Sequence, residues 1–268
     1  MSNVVEETIG NDNARNRSFL FKSLDEVTKF RVTGIQSAEV CGRYWRMNFL
    51  KATSDDEQND SSNKWTKIGT LIHLLAEDFL LRMSGQPAKL EQSDITQIIS
   101  ALEELEDLKS YQNWLIYQQR LMMYILGGEI IRVEKDVIIP NKIAPLSGQV
   151  DLLFRDRNGV LTVLDHKTNR KPSPNHKWKS KFQINAYATS ICHEYGVDEV
   201  RFIIGNVNQV EDNDFIVRGS VANMNVRINH AINNIKNGAE GVGDNCHSCI
   251  AKENGTCPTY RKYLELKG

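Results

Sequence analysis

Asp151 and Asp165 stand on the two arms of "SGQVDLLFRDRNGVLTVLDHKT", residues 147–168, and Lys167 follows the second acid by two positions. Apolar alternation on either side of Asn158-Gly159 predicts two strands and a hairpin. A three-residue turn, Arg157-Asn158-Gly159, places the positive φ on Gly159. Leu153 then opposes Val163, Asp151 opposes Asp165 and Gln149 opposes Lys167, all on one face. A two-residue turn would slip the pairing by one and send the two acids to opposite faces. Opposed carboxylates about 5 Å apart at Cβ repel unless positive charge lies between them. Such an oxygen-rich pair suits Mg2+ or Mn2+, ions that polarise a phosphoryl oxygen and acidify a bound water. Lys167 could orient that water or stabilise charge on a phosphate. The competing reading of the same residues is a solvated surface hairpin.

The surrounding elements must position these groups. Residues 34–51 read as a helix with Ser37 near its start, and 52–64 as a polar surface loop. Ile68, Leu71, Ile72, Leu75 and Phe79 recur at helical spacing within 65–83. Helical turns follow at 91–109 and 111–126. "EIIRVEKDVIIP" alternates as a strand and leads into the hairpin. Residues 176–196 return to helix, with Gly196 as its C-cap. "EVRFIIGN" and "DFIVRGSV" are strands, and 222–237 is helical. The pattern predicts an α/β core of αβββαβ order with helical material before it.

The chain of 268 residues, 40% hydrophobic, can fill one large core. It contains no run of 18 apolar residues, so no membrane span is expected. Residues 1–30 are polar, without an apolar leader core, and are expected to be flexible. With five cysteines and no leader, a reducing, cytoplasmic setting is expected. The net charge of −1 neither favours nor excludes nucleic acid.

"SGQVD", "VLDHKT" and "FQINAY", in that order, resemble the RecB-like branch of the PD-(D/E)xK nucleases. Gly148-Gln149-Val150-Asp151 corresponds to the branch's Gly-x-x-Asp, Asp165-His166-Lys167 to its acid-x-lysine, and Gln183 and Tyr187 to its Gln-x-x-x-Tyr. His73 in "IGTLIHLLAE" corresponds to its histidine motif. The resemblance implies a restriction-endonuclease-like fold with a mixed central sheet. It runs from about Thr33 to Tyr260, and a single domain is expected over 31–268: helical at 31–130, catalytic at 131–220, and a helix with a cysteine-bearing flap at 221–268. It implies that His73, Asp151, Asp165 and the backbone carbonyl of His166 hold the divalent ion and that Lys167 is the catalytic lysine. His166 stands where the family more often has tyrosine. Gln183 and Tyr187 would hold a phosphate or order the hairpin, and Tyr187 could also stack on a base or simply pack. Glu134, on the first core strand, is a further acid within reach of the metal through water. Packed or rim histidine is the competing reading of His73.

"KTNRKPSPNHKWKSK", 167–181, carries Arg170, Lys171, Lys177, Lys179 and Lys181 beside Lys167 and reads as a phosphodiester track, with Trp178 stacking on an unpaired base. Cys246, Cys249 and Cys257 fall within twelve residues, at metal-ligand spacing, and Cys41 is the natural fourth thiolate. The layout resembles the iron–sulfur staple of AddB-type and CRISPR-adaptation nucleases, which implies a 4Fe–4S cluster. The seven-residue gap before Cys257 is longer than usual there, so Zn2+ on four thiolates, or with His247 replacing Cys41, stays open. Cys192 reads as a core residue.

The expected activity is hydrolysis of DNA phosphodiesters by an exonuclease using Mg2+ or Mn2+, on single strands or ends. The settings are recombination, repair, CRISPR adaptation with protein partners, or phage DNA metabolism. A non-catalytic nucleic-acid-binding module on the same fold is the alternative.

Overall fold

The computed structural model describes residues 30–49, 64–139, 141, 145–168, 173–238, 241, 257 and 259. A short strand, β1 (Phe30–Arg31), leads into α1 (Val32–Val40) and α2 (Gly42–Phe49). Then come α3 (Lys64–Met83), α4 (Gln92–Glu104) and α5 (Leu108–Ile125). Strands β2 (Glu129–Ile139), β3 (Leu146–Arg155) and β4 (Leu161–Lys167) form the centre. Helices α6 (Asn175–Ser180) and α7 (Phe182–Tyr195) precede β5 (Glu199–Asn206), β6 (Asn213–Arg218) and α8 (Val221–Asn237).

The sheet is mixed. Strand order is β1-β3-β4-β5-β6, with β2 on the other edge of β3. The β4–β5 pair is parallel, so its connection crosses over one face through α6 and α7. Helices cover both faces. Leu153 and Val163 pack with α1, α7 and α8, while Leu152 and Leu164 pack with α3, α4 and α5. Helices on both faces explain why β4 is buried at successive positions, from Leu161 to His166, with Leu161, Val163 and Leu164 apolar.

Two expected helices are interrupted. The first starts at Val32 and breaks at Cys41, whose backbone is extended. Ser37 therefore lies mid-helix, buried, with its hydroxyl donating to the Gly34 carbonyl at 2.7 Å. The second breaks at Lys181, extended at ψ 139°, which turns α7 relative to α6. Gly196 caps α7 in the left-handed region at φ 65°, as expected. Among the described residues no helix is long and apolar enough to cross a membrane.

One edge of β3 is broken. β2 follows the opposite edge from Leu146 to Arg155. On the broken edge β4 pairs from Leu152–Leu164 to Arg155–Leu161, and β1 pairs only Leu146 and Ser147. Residues 148–151 between them have no strand partner there among the described residues. Asp151 lies at the mouth of this notch.

Candidate active site

The hairpin has the longer turn. Gly159 takes φ +77°, its N–H donates to the Asp156 carbonyl at 2.8 Å, and Asp156 N–H donates to Val160 O at 3.0 Å. Leu153 faces Val163 and Phe154 faces Thr162, so continuing the count sets Asp151 opposite Asp165. The ladder stops one pair short of the two acids. There the Asp151 carboxylate takes the place of a backbone acceptor, receiving the His166 N–H at Oδ2 over 2.5 Å. A side chain thus clamps the end of β4 where its strand partner has left.

Both acids are buried, Asp165 to 2% exposure. The Lys167 ammonium lies in direct ionic contact with Asp165 Oδ2. Apart from that ammonium, Oδ2 is buried with no hydrogen-bond donor among the described residues. Burial pushes the Asp165 carboxyl above its ordinary value, and the nearby Asp151 charge pushes the same way. For Lys167 burial favours the neutral amine, but the Asp165 and Asp151 carboxylates together outweigh it and hold the ammonium above its ordinary value.

His73 comes from the other layer. It projects from α3 with Nδ1 3.7 Å from Asp151 Oδ1. Gly69, one turn earlier, lies over the end of β4, where a Cβ would make an ordinary contact with Thr168 Oγ1 at 3.4 Å. The His166 ring points to this layer too, 1% exposed, with Nδ1 2.8 Å from the Tyr117 hydroxyl. Burial lowers the His166 pKa to about 3, so the ring is neutral.

Gln183 and Tyr187 pack from α7, with Gln183 Nε2 donating to the Tyr187 hydroxyl at 3.2 Å. Tyr187 is buried, so it does not stack on a base. Its ring rests on Gly148, where a Cβ would come within 2.6 Å of Cε1, so the tyrosine in this place requires glycine at 148. Burial, and then the Asp165 charge, raise the Tyr187 pKa to about 12. Gln149, expected opposite Lys167, is exposed and donates instead to the Glu134 carbonyl at 3.1 Å.

The donor chemistry suits a hard cation: two opposed carboxylates short of positive charge, and an imidazole. Yet among the described residues no three His, Cys, Asp or Glu side chains converge closely enough to hold a metal ion. His73 meets Asp151, and Lys167 holds the Asp165 oxygen a cation would share.

Other expectations fare differently. Trp178 is corrected: it is 2% exposed and packed in the core, out of reach of a base. An aromatic residue amid lysines was as consistent with a helix seated on the sheet as with an open track. Lys177 and Lys179 are exposed, while Lys181 folds over the Trp178 ring at 4.2 Å. Arg170 and Lys171 lie outside the described residues, as do Cys246, Cys249 and His247. Cys41 sits at the α1–α2 break, half-buried, its sulfur accepting the Tyr44 N–H at 3.3 Å. Cys257 is half-buried, and Cys192 is buried as expected, its thiol pushed up by burial. Gly241 lies against the end of α1 beside Cys41, for a Cβ on it would lie 2.2 Å from the Val40 carbonyl.

Sequence reading missed the support from α5. Asn208 donates to the Thr168 carbonyl at 2.8 Å and is itself held by Asn113 at 3.0 Å. Ser110, Asn113, Tyr117 and Arg120 recur at helical spacing on the inward side of α5, a polar stripe on a buried face that could have marked it.

No curated protein matches the chain. The solved structure of SSO0001 is similar at a TM-score of 0.43 and 11% identity, over 95% of this chain and 94% of that one, too slight a likeness to carry an argument. The family model of the PD-(D/E)XK nuclease superfamily matches residues 30–254, which include both strands of the acidic hairpin, the helix bearing His73 and the helix bearing Gln183 and Tyr187. The chain belongs to the PD-(D/E)XK nuclease superfamily.

Proposed function

We propose that the protein is a metal-dependent DNA exonuclease acting on single strands or strand ends. The observation that carries the reading is the pair of buried, opposed carboxylates with Lys167 at the open end of β4. His73, Asp151, Asp165 and the His166 carbonyl would hold Mg2+ or Mn2+. When bound, such an ion supplies Lewis-acid polarisation of a phosphoryl oxygen and a more acidic water. Asp151 fixes the last residues of β4 through the His166 N–H, so Asp165 and Lys167 keep one orientation. The Lys167 ammonium, held charged by two carboxylates, would stabilise negative charge building on the phosphate. The basic segment through Arg170, Lys171, Lys177, Lys179 and Lys181 would guide the strand. Tyr187 and Gln183 would keep the face behind Lys167 rigid.

Cys41, Cys246, Cys249 and Cys257 would hold a 4Fe–4S cluster, with Zn2+ as the alternative. The Tyr44 N–H aimed at Cys41 sulfur and the return of the chain at Gly241 support a thiolate site closing there. Absorbance of purified protein distinguishes the two: brown for the cluster, colourless for zinc. Partners in recombination, repair, CRISPR adaptation or phage DNA metabolism are the settings such an activity fits.

The deciding test uses end-labelled single-stranded DNA with Mn2+, with and without chelator. Wild-type protein is expected to cut and Lys167→Ala to lose activity by roughly a thousandfold while still binding DNA. Undiminished cutting by Lys167→Ala sinks the mechanism. One observation favours a non-catalytic binding module instead, the closure of Asp165 by Lys167. Wild-type protein that binds DNA but leaves it intact with Mn2+ would establish that reading.

A further inference from the structure

The His166 ring occupies a socket that the hairpin motif does not explain. It faces away from Asp165 and Lys167, its neighbours on β4, into the layer of α3 and α5. Tyr117 and His73 both meet it edge-on, with centroids at 5.6 and 5.8 Å. Nε2 is buried with no hydrogen-bond partner among the described residues, so the Tyr117 hydroxyl at Nδ1 is the polar contact that sets the ring's rotation.

Tyr117 is itself held. Its hydroxyl fills the space over Gly205, where a Cβ would lie 1.7 Å from the oxygen. Gly205 is the residue paired with His166 across β4 and β5. The Arg120 guanidinium lies 5.0 Å from the Tyr117 ring centre and donates to the carbonyls of Asn206 and Gln209, each at 2.5 Å. Any β5 residue larger than glycine would expel the hydroxyl, so strand and helix are built around this one contact. Either tautomer of the neutral imidazole keeps it. The contact therefore fixes a conformation, not a proton.

We propose that Tyr117, seated over Gly205, is a positioning residue that holds the backbone of His166 for metal binding from the face opposite Asp151. Asp151 grips the His166 N–H from one side and Tyr117 grips its ring from the other. Between these grips the His166 carbonyl and the flanking Asp165 and Lys167 have a single arrangement. The inference rests on the metal site proposed above and adds a residue outside its motifs. Partners that orient ligands in this way change metal affinity by about 10–100-fold when removed.

The test is Mn2+ titration followed by electron paramagnetic resonance of the free ion, with thermal unfolding alongside. Wild type, Tyr117→Phe, His166→Asn, His166→Leu and Asp165→Ala are compared. Tyr117→Phe is expected to bind Mn2+ about 10–100-fold more weakly while remaining folded. His166→Leu should match it. His166→Asn, whose side-chain oxygen stands in for Nδ1, should stay within about threefold of wild type. A merely structural Tyr117 would lower the melting temperature and leave affinity alone, so Tyr117→Phe within about twofold of wild type overturns the proposal. In that case the metal site stands as long as Asp165→Ala still abolishes binding. Wild-type protein that binds no Mn2+, or binds it as well as Asp165→Ala does, overturns both.

Discussion

Three buried aspartates stand on one hairpin, and its two ends treat them differently. At the turn, Asp156 has a donor for each oxygen: Oδ1 accepts the N–H groups of Asn158 and Val160 at 2.9 and 3.0 Å, and Oδ2 accepts Arg201 at 3.1 Å. At the open end Asp151 and Asp165 face one another, and one ammonium stands in for the donors Asp165 lacks. A carboxylate that is fully paired holds a turn together. One left short of positive charge, and pushed toward its neutral form by burial, is poised for a cation the chain does not itself supply.

The widest separation between the two ends should come from Asp165→Asn set against Asp156→Ala. Asp165→Asn is expected to lower cleavage by roughly a thousandfold, about 4 kcal/mol, because Asp151 is left without a second carboxylate with which to share a cation. Metal-free stability should change by less than about 1 kcal/mol, since relief of the buried Asp165 charge and of its repulsion of Asp151 offsets the loss of an ion partner by Lys167, which still faces the Asp151 carboxylate. Asp156→Ala should do the reverse. It strips two backbone N–H groups and Arg201 of their acceptor, costing about 2–3 kcal/mol, and leaves cleavage per folded molecule within about threefold. Urea denaturation and the end-labelled DNA assay read both. Equal loss of activity at the two positions would break the distinction.

The open end should also show itself in acid. With its pKa depressed by burial from 6.5 to about 3, His166 contributes stability above its unfolded value, lost as pH falls toward the folded one. Between pH 6.5 and 4 the unfolded chain takes up a proton that the folded chain refuses, at about 1.4 kcal/mol per pH unit. Metal-free wild type should therefore lose about 3 kcal/mol more than His166→Asn over that range, as an upper figure, in urea titrations at stepped pH. Parallel curves would mean that the ring is not sealed in as the Tyr117 contact describes.

The turn end was legible in the residues. Alternation on both arms and a single well-placed glycine, Gly159, set the register that lines up Leu153 with Val163. The open end was legible only as residue types. That the ladder halts before Asp151 and gives its place to a side chain depends on β1 pairing at Ser147, and nothing near the hairpin signals a two-residue strand at Phe30. Helix breaks at Cys41 and Lys181 escaped because apolar spacing runs on through both. Trp178 was misplaced because charge along a segment says nothing about which side of it meets the sheet. Tyr117 lies 49 residues from His166 on an element of another layer, so their contact exists only in the fold.

The smallest effect sharpens the comparison furthest. Among the described residues two that are not glycine have left-handed backbones, Glu106 and Glu134, both at φ 50°. Glu106 is exposed in the turn between α4 and α5, where such a conformation commonly ends a helix. Glu134 lies in the middle of β2, and the pairing of β2 with β3 brackets it at Val133–Leu152 and Lys135–Val150, leaving out the step opposite Asp151. A left-handed side-chain-bearing residue costs about 1–2 kcal/mol, and at Glu134 the bend falls on the step of the β2–β3 ladder opposite the residue that grips His166. Glycine at either position should raise stability by up to about 1 kcal/mol and leave cleavage intact, because the bend survives without its strain. Valine, which resists a positive φ, should lower stability by about 1–2 kcal/mol at both. Only Glu134→Val should then also lower cleavage per folded molecule, since straightening β2 there presses on Asp151, whereas straightening the loop at Glu106 disturbs nothing in the notch. Equal activity in the two valine variants, corrected for folded fraction, would mean that the bend in β2 serves packing alone and that the open end of the hairpin is set from β4 and α5.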